Sequence, residues 1–149
     1  METVDLMARA RPGRFRWSFF YPFPGTRAWE IAGELGYIDY SRMSDLVNFT
    51  EGSCLDFGGK QNLLLEKLGT VFPWFVNARS DLEAAPIYRD KAEELLSLDA
   101  SAWARRKEGL GAEDRELSRF CRERGWRHYA VKYNPFMGVI SDYFQRPAV

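Results

Sequence analysis

The residues whose types and spacing are most informative about chemistry form a proline-rich loop near the N-terminus. They are Tyr21, Pro22, Phe23, Pro24, Gly25 and Thr26. The prolines lack a ladder donor and Gly25 permits a tight turn, so a preceding strand must end here. Thr26 suits a helix N-cap, and the first N–H groups of that helix could hold a carboxylate or a phosphate. A rigid structural turn is the alternative interpretation.

A second candidate lies in the irregular stretch from residue 37 to residue 60. Its chemistry-bearing side chains are a thiol, two carboxylates and several amide or hydroxyl groups: Asn48, Thr50, Glu51, Ser53, Cys54 and Asp56. A loop of this length predicts a substrate-facing segment or short additional elements. A nucleophilic cysteine needs a nearby base or a helix N-terminus, and no His, Lys or Arg adjoins Cys54. We therefore expect Cys54 to be buried or inert.

Soft metal ligands are scarce in this chain. Cys54 and Cys121 lie in unrelated contexts, and His128 is the one histidine. The chain has no CxxC or CxxxCxxC pattern. The same count argues against triads of the Ser-His-Asp or Cys-His kind unless His128 serves. We therefore expect no metal and no cofactor on this chain alone.

Length and charge limit the remaining classes. With 149 residues, 46% of them hydrophobic, the chain is long enough for one compact domain with a core. Lys and Arg number 21, as do Asp and Glu, so no net charge would attract nucleic acid or an anionic membrane. Apolar runs are far shorter than the roughly 20 residues that span a bilayer, and the acidic N-terminus lacks a signal-peptide pattern. We expect no membrane partner and a cytoplasmic location.

Hydrophobic periodicity predicts the elements that position the first loop. The pattern indicates a helix over Glu2–Arg9 and a strand over Arg14–Phe20. A second helix should run from Arg27 to Leu35, where Gly36 ends it. Together these pieces form a strand–loop–helix unit, which α/β folds repeat.

The rest of the chain is predicted to be mainly helical, with a C-terminal strand or hairpin. Helices are expected over residues 61–78 with a kink at Pro73, from Pro86 to Leu98, from a cap at Asp99 or Ser101 to Lys107, and over 112–124. Gly109 and Gly111 should interrupt the helical pattern. Residues 126–133 and 136–144 are expected to pair as strands.

Two further patterns admit a binding or a packing interpretation. Residues 72–75 form an aromatic cluster that is typical of a core. Residues 126–133 interleave aromatic and basic side chains, as on a base-stacking strand, although a half-buried strand with a solvated basic edge is the favoured interpretation. The charged runs at 105–107 and 119–124 are typical of solvated helix faces.

The first loop and its flanking elements carry a family resemblance. They resemble the late strand-loop-helix of radical S-adenosylmethionine enzymes, especially the cobalamin-binding subgroup. The residues that carry it are Tyr21–Thr26, Trp29, Glu30, Ala32 and Gly36-Tyr37-Ile38, preceded by Glu2–Met7 and Arg11-Pro12. The resemblance is good over residues 2–38 and weaker through residue 81, and nothing beyond residue 86 carries it.

The resemblance implies a partial (β/α) barrel whose strand ends face a 4Fe-4S cluster, S-adenosylmethionine and substrate, with cobalamin in the subgroup. Tyr21–Thr26 would then line the cofactor or substrate pocket. The family's CxxxCxxC motif, early barrel strands and cobalamin-binding domain are missing from this sequence. The expected fold is α/β, or α+β: residues 1–81 as a truncated, C-terminal piece of such a barrel, and residues 82–149 as a helical extension with a strand or hairpin.

Two functions remain open. As a C-terminal fragment of such an enzyme, the chain would contribute part of the rim facing cofactor and substrate without being catalytic alone. Its partner would be the remaining barrel on a separate chain, docked on the open strand edge beside Arg14–Phe20. The alternative is a stand-alone protein- or RNA-interaction module without catalysis. A small hydrolase using Cys54 or His128 is the weakest hypothesis, because neither residue has a visible helper.

Overall fold

Helices dominate the described chain, and three short strands in it form one sheet. The computed structural model describes residues 1–45, 52–134 and 139–145. In chain order the elements are α1 (Glu2–Ala10), β1 (Arg14–Arg16), α2 (Arg27–Glu34), α3 (Tyr40–Asp45), α4 (Gly59–Arg79), α5 (Ala85–Ser97), α6 (Ala100–Arg106), α7 (Leu110–Glu123), β2 (His128–Asn134) and β3 (Val139–Gln145). The expected α+β class is confirmed. In these ranges no helix combines the length and apolar character needed to cross a membrane.

The sheet brings the N-terminal strand together with the two C-terminal strands. Its order is β1-β3-β2, and both pairs are antiparallel. Phe15 lies opposite Asp142, and Ala130 lies opposite Tyr143. The predicted pairing of the two C-terminal strands is confirmed. The described strands include no parallel pair, and the partial (β/α) barrel stays a prediction.

Side chains cover part of the outer edge of β2. Asn77 of α4 donates to the carbonyl of Tyr129 and accepts from its N–H, both at 2.8 Å. Asp114 of α7 accepts from the N–H of Val131 at 3.1 Å. Open strand edges invite pairing with other chains. These three bonds satisfy backbone groups at this edge and tie α4 and α7 to the sheet.

A bend in α4 lies next to Pro73. Val71 departs from helical geometry (φ −134°, ψ 45°), which confirms the predicted kink. Proline has no N–H, so the carbonyl of Gly69, four residues earlier, loses its usual helical donor. The indole N–H of Trp17 donates to that carbonyl at 2.8 Å. The kink therefore creates the acceptor on which the chain after β1 docks.

The first strand is shorter than the alternation over Arg14–Phe20 predicts. β1 ends at Arg16, because the next residues leave the sheet and pack on α4. The ring of Phe19 occupies the space above Gly69, where an added Cβ would lie 2.1 Å from the ring. The predicted strand is therefore wrong beyond Arg16: its alternating aromatics meet a helix there.

Caps define several helix ends as expected. The Oγ1 of Thr26 accepts from the N–H of Trp29 at 3.3 Å at the start of α2. Gly36 follows that helix with a positive φ of 69°, which suits glycine. The carboxylate of Asp99 caps α6. Pro86 lies in the first turn of α5.

One local expectation is confirmed and two are wrong. α3 is a short additional element of the kind predicted for the irregular stretch, and the Asp39 carboxylate accepts from the first N–H groups of that helix. Gly111 lies inside α7, where an exposed glycine costs only about 1 kcal/mol. Arg106 is not simply solvated, since it is half-buried between Glu94 and Glu113.

One hydrophobic cluster draws on both halves of the chain. Trp74 and Phe75 of α4 are fully buried, which confirms that the aromatic run at residues 72–75 belongs to the core. Tyr88, Trp103 and Tyr129 join the same cluster from the C-terminal half. The core therefore spans residue 81, and the predicted division of the chain at that point stays a prediction.

Candidate functional site

A cavity of about 970 Å³ lies between the segment after β1 and one face of α4. Most of its wall is aromatic or aliphatic, with a smaller polar share. Its lining includes Trp17, Phe19, Phe20, Ser53, Asn62 and Phe72. Small-molecule sites have volumes of about 300–1,000 Å³ and similar linings. The cavity is therefore a candidate binding site.

Ring contacts hold the aromatic wall in place. Trp17 stacks on Phe72, with ring centroids 5.8 Å apart and planes inclined by 27°. Phe15 meets Phe72 edge-on at 5.9 Å. The bond from Trp17 to the Gly69 carbonyl fixes the indole further. Packing and one hydrogen bond thus preorganise this wall.

The predicted loop Tyr21–Thr26 forms a tight, internally bonded turn. The backbone N–H and the Oγ1 of Thr26 both donate to the carbonyl of Phe23, at 3.1 and 2.7 Å. Gly25 has a φ of 82°, which favours glycine. Pro22 is fully buried, whereas Phe23 is 52% exposed. None of the six residues lines the cavity, which the chain leaves just before the loop begins.

Tyr21 joins the first predicted loop to the second. Its hydroxyl lies beside the thiol of Cys54, and burial, followed by the charge and hydrogen bond of that thiol, raises the pKa of Tyr21. Its ring packs against Phe23 at 5.2 Å. Cys54 is completely buried, which confirms the expectation for this thiol. Pro24 is exposed. The cofactor-binding role of the loop stays a prediction.

The second predicted loop is described in part. Asn48, Thr50 and Glu51 lie outside the described residues. Ser53 lines the cavity and donates to the carbonyl of Phe20 at 2.6 Å. This bond ties the second loop to the segment that precedes the first, so the two loops are neighbours in space. Its substrate-facing role stays a prediction.

Asp56 organises the start of α4. Its carboxylate accepts from the N–H of Gly58 at 2.8 Å and from the Nδ2 of Asn62 at 2.6 Å. These two bonds lower the pKa of Asp56. Since Asn62 lines the cavity, Asp56 positions a polar group of the wall.

Sequence reasoning missed the α4 side of this site. Gly69 and Asn62 were not singled out, although both line the cavity. One signal is present in the sequence: a glycine four residues before Pro73 marks a carbonyl without its helical donor. Nothing local identifies Trp17 as the replacement, because 52 residues separate the two partners.

Asp114 is a buried carboxylate that the sequence pattern also did not reveal. Its Oδ1 accepts from the indole N–H of Trp74 at 2.8 Å, and its Oδ2 accepts from the N–H of Val131. Burial outweighs these bonds and raises the pKa of Asp114 to about 6. His128 is also fully buried, and burial lowers its pKa. Both groups therefore couple protonation to folding.

The described residues offer no ligand set for a metal cluster. Within these ranges no three His, Cys, Asp or Glu side chains are grouped so as to hold a metal ion. Cys54 and Cys121 are free thiols, and both are buried. An iron–sulfur cluster therefore does not fit this part of the chain, and its ligands would have to come from elsewhere.

Comparisons with known proteins identify no relative. No family model, curated protein or solved structure matches this chain. The interpretation of the site therefore rests on its geometry and on the residues of the first loop.

Proposed function

We propose that this chain acts as the C-terminal portion of a radical S-adenosylmethionine enzyme of the cobalamin type. It contributes part of the rim that faces cofactor and substrate, and it is not catalytic alone. The observation that supports this most is the strand–loop–helix unit from β1 through Tyr21–Thr26 to α2, which lies beside a preorganised aromatic cavity. A rim loop next to a ligand-sized cavity is what such an enzyme requires at the ends of its strands.

In this proposal the partner chain supplies the radical chemistry, through a reduced cluster and S-adenosylmethionine. The residues of this chain bind the substrate and shield the reactive species from water. Trp17, Phe19 and Phe72 exclude water from one side of the cavity, which protects reactive species from side reactions. Ser53 and Asn62 add polar atoms to the wall, and hydrogen bonds to Phe20 and Asp56 hold them in place.

The edge of the sheet supports the choice of partner. β1 is an edge strand, because it pairs with β3 on one side and no other described strand lies beside it. Phe20 and Phe23, which follow it, are 65% and 52% exposed. An edge strand next to exposed aromatic rings is a surface that another chain would cover.

Affinity capture by the tagged chain, from cells of its source, tests this proposal. We expect it to retain a protein whose peptides include a CxxxCxxC motif. The double variant Phe20→Ser/Phe23→Ser should lose that protein. Leu96→Ser changes a residue with comparable exposure on α5 and should retain it. Failure to capture any such protein, or equal capture by the double variant, would contradict the proposal.

The alternative is a stand-alone protein- or RNA-interaction module, and its RNA form predicts ring faces open to bases along residues 126–133. His128 and Tyr129 are buried, with 0% and 1% exposure. The observations at this strand therefore favour packing over base stacking.

A further inference from the structure

A groove of about 500 Å³ runs between α7 and β2. Arg115, Arg119 and Arg122 line it from α7, and Ala130 and Val131 line it from β2. Spacings of four and three residues place the arginines on one helix face. None of the described residues lines both the groove and the 970 Å³ cavity. It is a separate concavity with a basic wall.

The three arginines are not used in ion pairs within the described part of the chain. There, no carboxylate oxygen lies within 4.0 Å of the side-chain nitrogens of Arg115, Arg119 or Arg122. Arg106, by contrast, is held between Glu94 and Glu113. All three groove arginines are exposed. The Nε of Arg122 donates to the carbonyl of Ser118 at 3.3 Å, and its two terminal nitrogens and the guanidinium groups of Arg115 and Arg119 have no ion-pair partner within the described residues.

Ser118 provides an independent indication of a ligand. It lies on the groove wall between the arginines and is only 6% exposed. Among the residues that the structure describes, its Oγ has no hydrogen-bond partner. A buried hydroxyl without a partner carries the full cost of its desolvation. An oxygen acceptor bound in the groove would remove that cost.

Two carboxylates also line the groove without cancelling its positive charge. The oxygens of Asp114 accept from the indole of Trp74 and the N–H of Val131, and within the described residues they form no ion pair with the groove arginines. Glu116 is exposed and forms no ion pair with the groove arginines within the described residues. Three guanidinium groups face two carboxylates, so the wall is positive overall.

We propose that this groove binds the phosphate group of a small phosphorylated molecule. The guanidinium groups of Arg115, Arg119 and Arg122 pair with phosphate oxygens, and the Oγ–H of Ser118 donates to one of them. The apolar strand residues at 130 and 131 pack against the remainder of the molecule. The site goes beyond the proposed rim function and does not depend on it, because the two share no lining residue in the described part of the chain.

Calorimetric titration of the full chain with inorganic phosphate, at constant ionic strength, tests this proposal. We expect saturable binding to one site. Arg119→Gln should weaken it about tenfold, since it removes a charge-assisted bond. Ser118→Ala should weaken it less, because a neutral donor is lost. Arg105→Gln changes an exposed arginine outside the groove and should bind phosphate like the wild type.

Three results would overturn the proposal. The first is the absence of saturable phosphate binding. The second is binding that Arg119→Gln and Ser118→Ala leave unchanged, while thermal unfolding shows both variants to be folded. The third is an oligonucleotide that binds more tightly than phosphate with the same sensitivity to Arg119→Gln, since that would indicate a nucleic-acid surface.

Discussion

Two backbone groups, the carbonyl of Gly69 and the N–H of Val131, have no partner in their own helix or strand and form hydrogen bonds with side chains from other elements. Pro73 leaves the Gly69 carbonyl without a helical donor, and Trp17 supplies it. The strand edge leaves the N–H of Val131 without a ladder acceptor, and Asp114 supplies that. At the residue scale, these replacements connect the elements.

Asp114 should make stability depend on pH. Its pKa is about 6 in the folded chain against an ordinary 3.8, so the folded state holds a proton more tightly than the unfolded state. Asp114 therefore stabilises fully below about pH 4, and this contribution is lost as the pH rises through about 6. We expect a loss of about 3 kcal/mol in the free energy of unfolding across that interval. Denaturant unfolding at several pH values measures it.

Asp114→Asn is the control for this pH dependence, because an amide does not titrate. Other groups, including His128, titrate in both proteins and cancel in the difference between them. The stability of the wild type relative to Asp114→Asn should therefore fall between pH 4 and pH 7. A difference that stays constant over this range would show that Asp114 does not carry a raised pKa.

At the element scale, the bend in α4 builds the cavity wall. The Gly69 carbonyl of this helix accepts a hydrogen bond from the indole of Trp17, and the ring of Phe19 packs over Gly69 itself. Gly69→Ala would place a Cβ 2.1 Å from the Phe19 ring. We expect this variant to lose about 1–3 kcal/mol of unfolding free energy, although alanine is otherwise the better helix former. Denaturant unfolding of the variant and the wild type shows whether the free energy of unfolding falls or rises.

Gly111→Ala is the matched control in α7. The nearest atom to its added Cβ is the Nη1 of Arg115, 3.7 Å away, so this variant should gain about 0.5–1 kcal/mol. In the Gly69→Ala background, Phe19→Ala should recover part of the loss, since the clash is removed. A stabilising Gly69→Ala would show that the ring does not pack as described.

Local signals predicted elements better than contacts between them. Thr26, Gly36 and Asp99 mark helix ends through caps and turns that involve near neighbours, and the structure agrees. The predicted strand failed beyond Arg16 because alternating aromatics bury equally well against a helix. The predicted interruption of the helix at Gly111 is wrong because an exposed glycine does not by itself end a helix.

At the scale of the whole molecule, the candidate rim and the C-terminal region share one structure. β1 pairs with β3, and Tyr129 of β2 donates its hydroxyl to the carbonyl of Pro12 at 2.8 Å. The segment that leads into Tyr21–Thr26 is therefore held by the C-terminal strands. The sequence predicted those strands but not this pairing, because strand partners more than 100 residues apart leave no local pattern.

Of the residues predicted for the site, Ser53 lines the cavity, Cys54 is buried as expected, and the first loop lies beside the cavity. Tyr21–Thr26 could be singled out because proline, glycine and a capping threonine are adjacent in the chain. The cavity beside it depends on Trp17 meeting Gly69 and on Ser53 meeting the Phe20 carbonyl. Such contacts follow from packing of the folded chain, so the sequence could not indicate them.

Thermal unfolding of the complex between this chain and the captured CxxxCxxC protein, with and without S-adenosylmethionine, tests the central proposal most directly. A ligand that binds the folded state stabilises it by about 2.7 kcal/mol at roughly a hundred times Kd. We expect the midpoint of the unfolding transition of the complex to rise with ligand concentration, less so in Thr26→Ala and undiminished in Leu96→Ala. A cooperative transition whose midpoint ignores S-adenosylmethionine would contradict a cofactor-facing rim.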